Sequence, residues 1–179
     1  ILTRTAAWFT DSFVSTLIRV PIGRRGAIGP PELVALGGDW APGPSINANG
    51  IVATPNGKQL IVAQVEAPEG GTAAYYLVPA DGDAAAVEAT RIELDTTVAG
   101  ADGLVLAGRT LYSVSSAGVT KIRLSGRLDH GRVVETLEVP GAESPTTADI
   151  FGRRLYVVDA KFSTFGAPST TYQVTAIRR

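Results

Sequence analysis

Asn49-Gly50-Ile51-Val52-Ala53, a Pro55-Asn56-Gly57 turn and Leu60-Ile61-Val62-Ala63-Gln64 form a unit that the chain writes more than once. It returns as Asp102-Gly103-Leu104-Val105-Leu106, Gly108 and Leu111-Tyr112-Ser113-Val114-Ser115. It returns again as Thr146-Thr147-Ala148-Asp149-Ile150, Gly152 and Leu155-Tyr156-Val157-Val158-Asp159. Ala7-Trp8-Phe9-Thr10-Asp11 matches the second half of the same unit. The equivalent positions 7, 60, 111 and 155 stand 53, 51 and 44 residues apart. Two short apolar runs around a glycine turn, at a period of that size, are the spacing of β-propeller blades.

The residues between the units supply the remaining strands. Ala73 to Val78 and Thr90 to Leu94 read as the third and fourth strands of one blade, Gly118 to Leu124 and Val133 to Val139 as those of the next. Thr120, Ile122 and Leu124 alternate with Lys121 and Arg123, the period-2 pattern of a strand with one wet face. Asn56-Gly57, Asp81-Gly82 and His130-Gly131 read as tight turns. The stretch from Asp83 to Ala89 is short and Ala-rich and reads as a turn leading into a strand. Sustained helical periodicity is absent, so the fold class is all-β.

The count is roughly fourteen strands, or about three and a half four-stranded blades. The 179 residues form a single domain, with blades at about 1–38 (incomplete), 46–95, 99–140 and 144–179 (three strands). Because an open stack leaves sheet edges and blade faces bare, such an arc calls for completion. The chain is therefore expected to be the C-terminal part of a larger propeller, its missing N-terminal half supplied by a second polypeptide, a removed segment or another copy.

Composition narrows the function classes. Sixteen basic against seventeen acidic residues leave a net charge of −1, which offers no basic field for nucleic acid. No apolar run reaches the 18 or more residues of a membrane-spanning helix. With no cysteine and one histidine, thiol nucleophiles, zinc–thiolate sites and a Ser-His-Asp triad within the chain are excluded. His130 reads as an exposed hairpin residue. Localisation stays open, with export slightly favoured over the cytoplasm.

Asn47 to Lys58, Ala101-Asp102-Gly103-Leu104 and Trp8-Phe9-Thr10-Asp11-Ser12 resemble the gluconolactonase/regucalcin-like six-bladed propellers. Luciferin-regenerating and strictosidine-synthase-like proteins are relatives of that family. The resemblance covers essentially the whole chain as the later blades of such a propeller. It implies that Asn49 and Asp102 coordinate a divalent metal in the central channel, with further ligands from sequence preceding Ile1.

Blade geometry gives a parallel argument. Asn49, Asp102 and Thr146 begin innermost strands and should ring one mouth of the channel. Asp11, Gln64, Ser115 and Asp159 end second strands at the same rim, with Glu66 just beyond. Carboxylate, amide and hydroxyl oxygens suit a hard cation, Ca²⁺ first, with Mg²⁺, Mn²⁺ or Zn²⁺ as alternatives. Asp102 is the expected ligand and general base, and Asn49 a neutral ligand. Trp40, Asp11, Gln64, Thr146 and Asp159 are the expected substrate contacts, Trp40 as a pocket wall. Bland readings stand beside these: turn chemistry for Asn49 and Asp102, backbone bonding for Thr146, blade-edge hydrogen bonds for Asp11 and Asp159. The loop from Phe162 to Thr171 is the last blade's counterpart of the Trp40 loop.

The expected function is a metal-dependent hydrolase of lactonase type, acting on a small cyclic ester in the channel. The alternative is a non-catalytic propeller presenting a ligand- or protein-binding face. A cyclase or condensing enzyme depending on a channel Glu ranks last, because no Glu begins a blade.

Overall fold

The computed structural model describes residues 1–80 and 85–179. Fifteen strands run through the described residues: β1 (Ala6–Thr10), β2 (Thr16–Pro21), β3 (Glu32–Gly38), β4 (Ala48–Ala53), β5 (Gln59–Gln64), β6 (Ala74–Pro79), β7 (Ala86–Arg91), β8 (Glu93–Leu94), β9 (Leu104–Ala107), β10 (Thr110–Ser115), β11 (Gly118–Leu124), β12 (His130–Leu137), β13 (Pro145–Phe151), β14 (Arg154–Asp159) and β15 (Gln173–Arg178). Among the described residues helical structure is confined to two single 3-10 turns, and none of them forms a helix long and apolar enough to cross a membrane.

The strands group into antiparallel meanders: β1-β2-β3, β4-β5-β6-β7, β9-β10-β11-β12 and β13-β14-β15. These are the blades of the repeat, with the innermost strand missing from the first and the outermost from the last. Outer strands also join neighbouring blades. β7 runs parallel to β3 as well as beside β6, and β8 runs parallel to the start of β12.

Three apolar cores lie between the blades, and strand alternation feeds them. Along β5, Leu60 and Val62 point into the core shared with Trp8, Leu17 and Val34, while Ile61 and Ala63 point into the next. Along β6, Tyr76 and Val78 join the first core, and Tyr75 and Leu77 the second. Tyr112, Val114 and Val119 meet Leu155 and Val157 in the third. A side chain fully buried this way contributes about 1.5–3 kcal/mol. A buried side-chain bond also crosses between blades: the Tyr75 hydroxyl donates to Ser113 Oγ at 2.8 Å. Burial pushes the Tyr75 phenol up to about 12, against a smaller opposite effect of Ser113.

Three local expectations change. The fourth strand of the second blade begins at Ala86 rather than Thr90, because its first residues pair with β3. His130-Gly131 is not a turn but the start of β12; the turn lies in 125–129, where Leu128 takes φ 66°. Gly131 is needed for packing instead, since a Cβ there would lie 2.6 Å from Leu94 and 2.8 Å from Ile122. That strand accordingly ends at Leu137, short of Val139. The expected Asp81-Gly82 turn lies outside the described residues.

The two ends of the arc are uncovered. Phe9 and Leu33 stand 51% and 70% exposed on the first blade, and Phe151 and Val174 stand 79% and 60% exposed on the last. A hollow of about 620 Å³ opens at the last blade against Tyr156, Val158 and Val174, with apolar walls from β4 and β9.

Candidate functional site

Asn49 is the second residue of β4, and Asp102 stands two residues before β9. The glycine after each explains how their strands meet. A Cβ on Gly50 would come 2.1 Å from the Asp102 carbonyl oxygen, and one on Gly103 would come 2.7 Å from that of Thr146. Only glycine allows inner strands of successive blades to close up at the narrow axis. The Gly103 amide in turn donates to the Thr146 carbonyl at 2.7 Å.

Backbone bonds then fix the two rim residues. The Asp102 amide donates to the Val114 carbonyl at 2.7 Å, and the Val114 amide to the Gly103 carbonyl at 2.9 Å. The Asn49 carbonyl accepts from Thr10 Oγ1 at 2.7 Å, and its neighbour Ala48 accepts from Ser12 Oγ at 2.9 Å. The Asn49 side chain lies beside the Asp102 carboxylate and favours its charged form. Burial pushes the Asp102 carboxyl above its ordinary value, and Asn49 only partly opposes this.

Asn49 and Asp102 lie in the wall of a cavity of about 320 Å³. Serine side chains from three places join them: Ser115 ends β10, Ser116 follows it, and Ser144 precedes β13. Ile46 and Phe162 add apolar surface. Ser115 was legible as a rim residue from its strand-end position. Ser116, Ser144 and Ile46 were not, because they sit in connections whose course the repeat does not specify.

The other expected contacts lie elsewhere or do other work. Trp40 is buried, packs in a tilted ring contact with Tyr76 at 4.8 Å between centroids and donates its indole N–H to Ser15 Oγ at 3.1 Å; it does not line this cavity. Gln64 is completely buried, donating to the Ala41 carbonyl and Asn47 Oδ1 at 2.9 Å each and accepting from the Tyr76 hydroxyl at 3.0 Å. Both pin the 39–47 connection. Asp11 accepts from the Phe13 amide at 2.9 Å, capping its own loop. Thr146 offers its carbonyl to Gly103 and is not among the cavity residues. Glu66 accepts from Ser45 Oγ and the Gly71 amide, which hold its carboxyl below the usual range.

Asp159 is fully buried at the end of β14. Burial alone would raise its carboxyl, but Lys161 Nζ at 2.8 Å and the amides of Glu143, Ser144 and Lys161 outweigh that and hold it far below the carboxylate range. It fastens the 143–144 connection to the loop that carries Phe162.

Comparison with known proteins yields no matching family model and no matching curated protein. Solved structures do match. A candidate 6-phosphogluconolactonase from Bacteroides uniformis superposes with a TM-score of 0.62 at 14% identity, covering 100% of this chain and 56% of its own. A gluconolactonase from Xanthomonas campestris gives 0.58 at 16% identity, covering 88% and 52%. The Malassezia sympodialis major allergen Mala s 1 gives 0.56 at 12%, covering 92% and 53%. The chain thus spans about half the length of these proteins, and the likeness establishes a lactonase-like β-propeller fold.

Proposed function

We propose that this chain carries part of a divalent-cation-dependent hydrolytic site of lactonase type, acting on a small cyclic ester. The observation that carries the reading is the Asn49–Asp102 pair, an amide against a half-buried carboxylate where two inner strands meet. Two of the superposed proteins bearing lactonase names support it. A carboxylate penalised by burial and met by one amide is a group that a cation would stabilise. The oxygen donors suit a hard ion such as Ca²⁺. When bound, that ion supplies carbonyl polarisation and a more acidic water.

Asp102 would hold the ion and stand within reach to take a proton from the water the ion acidifies. Asn49 would orient the Asp102 carboxylate without adding charge. Further ligands belong to a complementary half, which would also cover the apolar faces around Phe9 and Leu33 and around Tyr156 and Val174.

The test is turnover of a simple γ-lactone by the assembled protein. Asp102→Ala should lower kcat at least about 100-fold, and chelation should abolish activity. Unchanged turnover in Asp102→Ala would remove the proposal. One observation favours the non-catalytic binding reading: among the described residues no three His, Cys, Asp or Glu side chains gather at metal-binding distance. A completed ring that binds no divalent ion would decide for it.

A further inference from the structure

We infer that the Asn49–Asp102 cavity selects a ligand with an aromatic or aliphatic face, held against Phe162, over a polyhydroxylated ring. The inference rests on the reading above that this cavity is the site.

The position of Phe162 is built from several directions. Lys161 takes φ 51° and ψ 52°, a left-handed conformation uncommon outside glycine, and thereby turns the chain into the 3-10 turn Phe162–Thr164. Asp159 holds that bend through the Lys161 amide and ammonium. The Ser163 amide donates to Glu143 Oε1 at 3.0 Å, and the Phe162 amide reaches Ser144 Oγ at 3.4 Å. These restraints set an aromatic ring, 61% exposed, into the wall of the cavity that contains Asp102. Ile46, in the wall of the same cavity, is 43% exposed. Apolar surface that a fold deliberately holds in water, beside polar groups in a concave site, is the arrangement of ligand contact.

Some of the polar groups that a polyol needs are already engaged. Ser144 Oγ already accepts from the Phe162 amide at 3.4 Å and donates to Glu143 Oε1 at 3.5 Å, and Ser115 Oγ accepts from the Ala117 amide at 3.3 Å. Sugar hydroxyls placed against Phe162 and Ile46 would lose water without regaining a bond there, a cost that an aryl or alkyl face does not incur. The reacting ester would lie at Asp102 and its apolar substituent along Phe162 and Ile46.

The experiment is an amide-resolved NMR titration of the assembled protein, with this chain ¹⁵N-labelled, using γ-phenyl-γ-butyrolactone and glucono-δ-lactone. The phenyl lactone should shift the Gly50, Gly103, Ser116 and Ser144 amides and bind at least 5-fold more tightly than glucono-δ-lactone. Phe162→Ala should weaken the phenyl lactone at least 5-fold, while Phe165→Ala, the neighbouring exposed ring, should leave it unchanged. Equal affinities, preference for glucono-δ-lactone, binding of neither, or insensitivity to Phe162→Ala would each overturn the inference. Apolar selectivity without hydrolysis would leave it standing and remove the hydrolase reading. Hydrolysis with a preference for glucono-δ-lactone would do the reverse.

Discussion

Asp102 and Asp159 are carboxylates on the same rim of the arc, and the fold treats them oppositely. Asp159 is sealed from water and surrounded by an ammonium and three backbone N–H donors, so its charge is the favoured form. Asp102 is half-buried beside a single amide, so its charge is penalised. A satisfied carboxylate is a structural clamp, whereas an under-satisfied one in a cavity keeps the capacity to take a proton or a cation. The difference separates architecture from chemistry on one rim.

Removing each side chain is the strongest way to break this contrast. Asp159→Ala leaves Lys161 and three N–H groups without their anion and should cost on the order of 3 kcal/mol in urea unfolding. Asp102→Ala should change stability by less than about 1 kcal/mol, since it removes a penalty together with the Asn49 contact. Comparable losses at both positions would dissolve the distinction. In turnover the order should invert: Asp102→Asn loses about 100-fold at unchanged stability, since an amide neither accepts the proton nor attracts a cation.

Acid titration sharpens the contrast by sign. The Asp159 carboxyl is depressed on folding from an ordinary 3.8, so its stabilisation is present above that pH and lost as pH falls toward the folded value. The Asp102 carboxyl is raised from the same 3.8, so its contribution is present below that pH and lost as pH rises through the folded value. Melting curves against pH should therefore show Asp159→Asn least stable relative to the parent near neutrality and converging with it in acid. Asp102→Asn should equal or exceed the parent near neutrality. The smallest effect is expected from Lys161→Ala, about 1 kcal/mol, because the backbone donors to Asp159 remain. A loss as large as that of Asp159→Ala would assign the clamp to the ion pair alone.

The repeat made most of the architecture legible. Gly50 and Gly103 follow their rim residues because of inter-blade contact, and that regularity stands in the sequence as Asn-Gly and Asp-Gly at blade spacing. The two roles of aspartate were not separable there. Asp159 is buried by the 143–144 connection folding over it and by Lys161 bending back, and neither event leaves a periodic trace. Gln64 and Trp40 were ambiguous for a related reason. A polar strand-end residue and a loop tryptophan suit a binding rim or a buried network equally, and the 39–47 connection turned them inward. His130-Gly131 resembled a turn because local dipeptide chemistry cannot register Leu94 and Ile122 pressing on Gly131.

Paramagnetic relaxation by Mn²⁺ tests the central claim most directly, because it detects an ion held even weakly by an incomplete ligand set. Substoichiometric Mn²⁺ added to the ¹⁵N-labelled chain should broaden the amides of Gly50, Asp102 and Gly103 first, and Asp102→Asn should abolish that selectivity. Broadening that spares these amides, centres on Asp159, or persists unchanged in Asp102→Asn would contradict the assignment of this rim pair as the cation site.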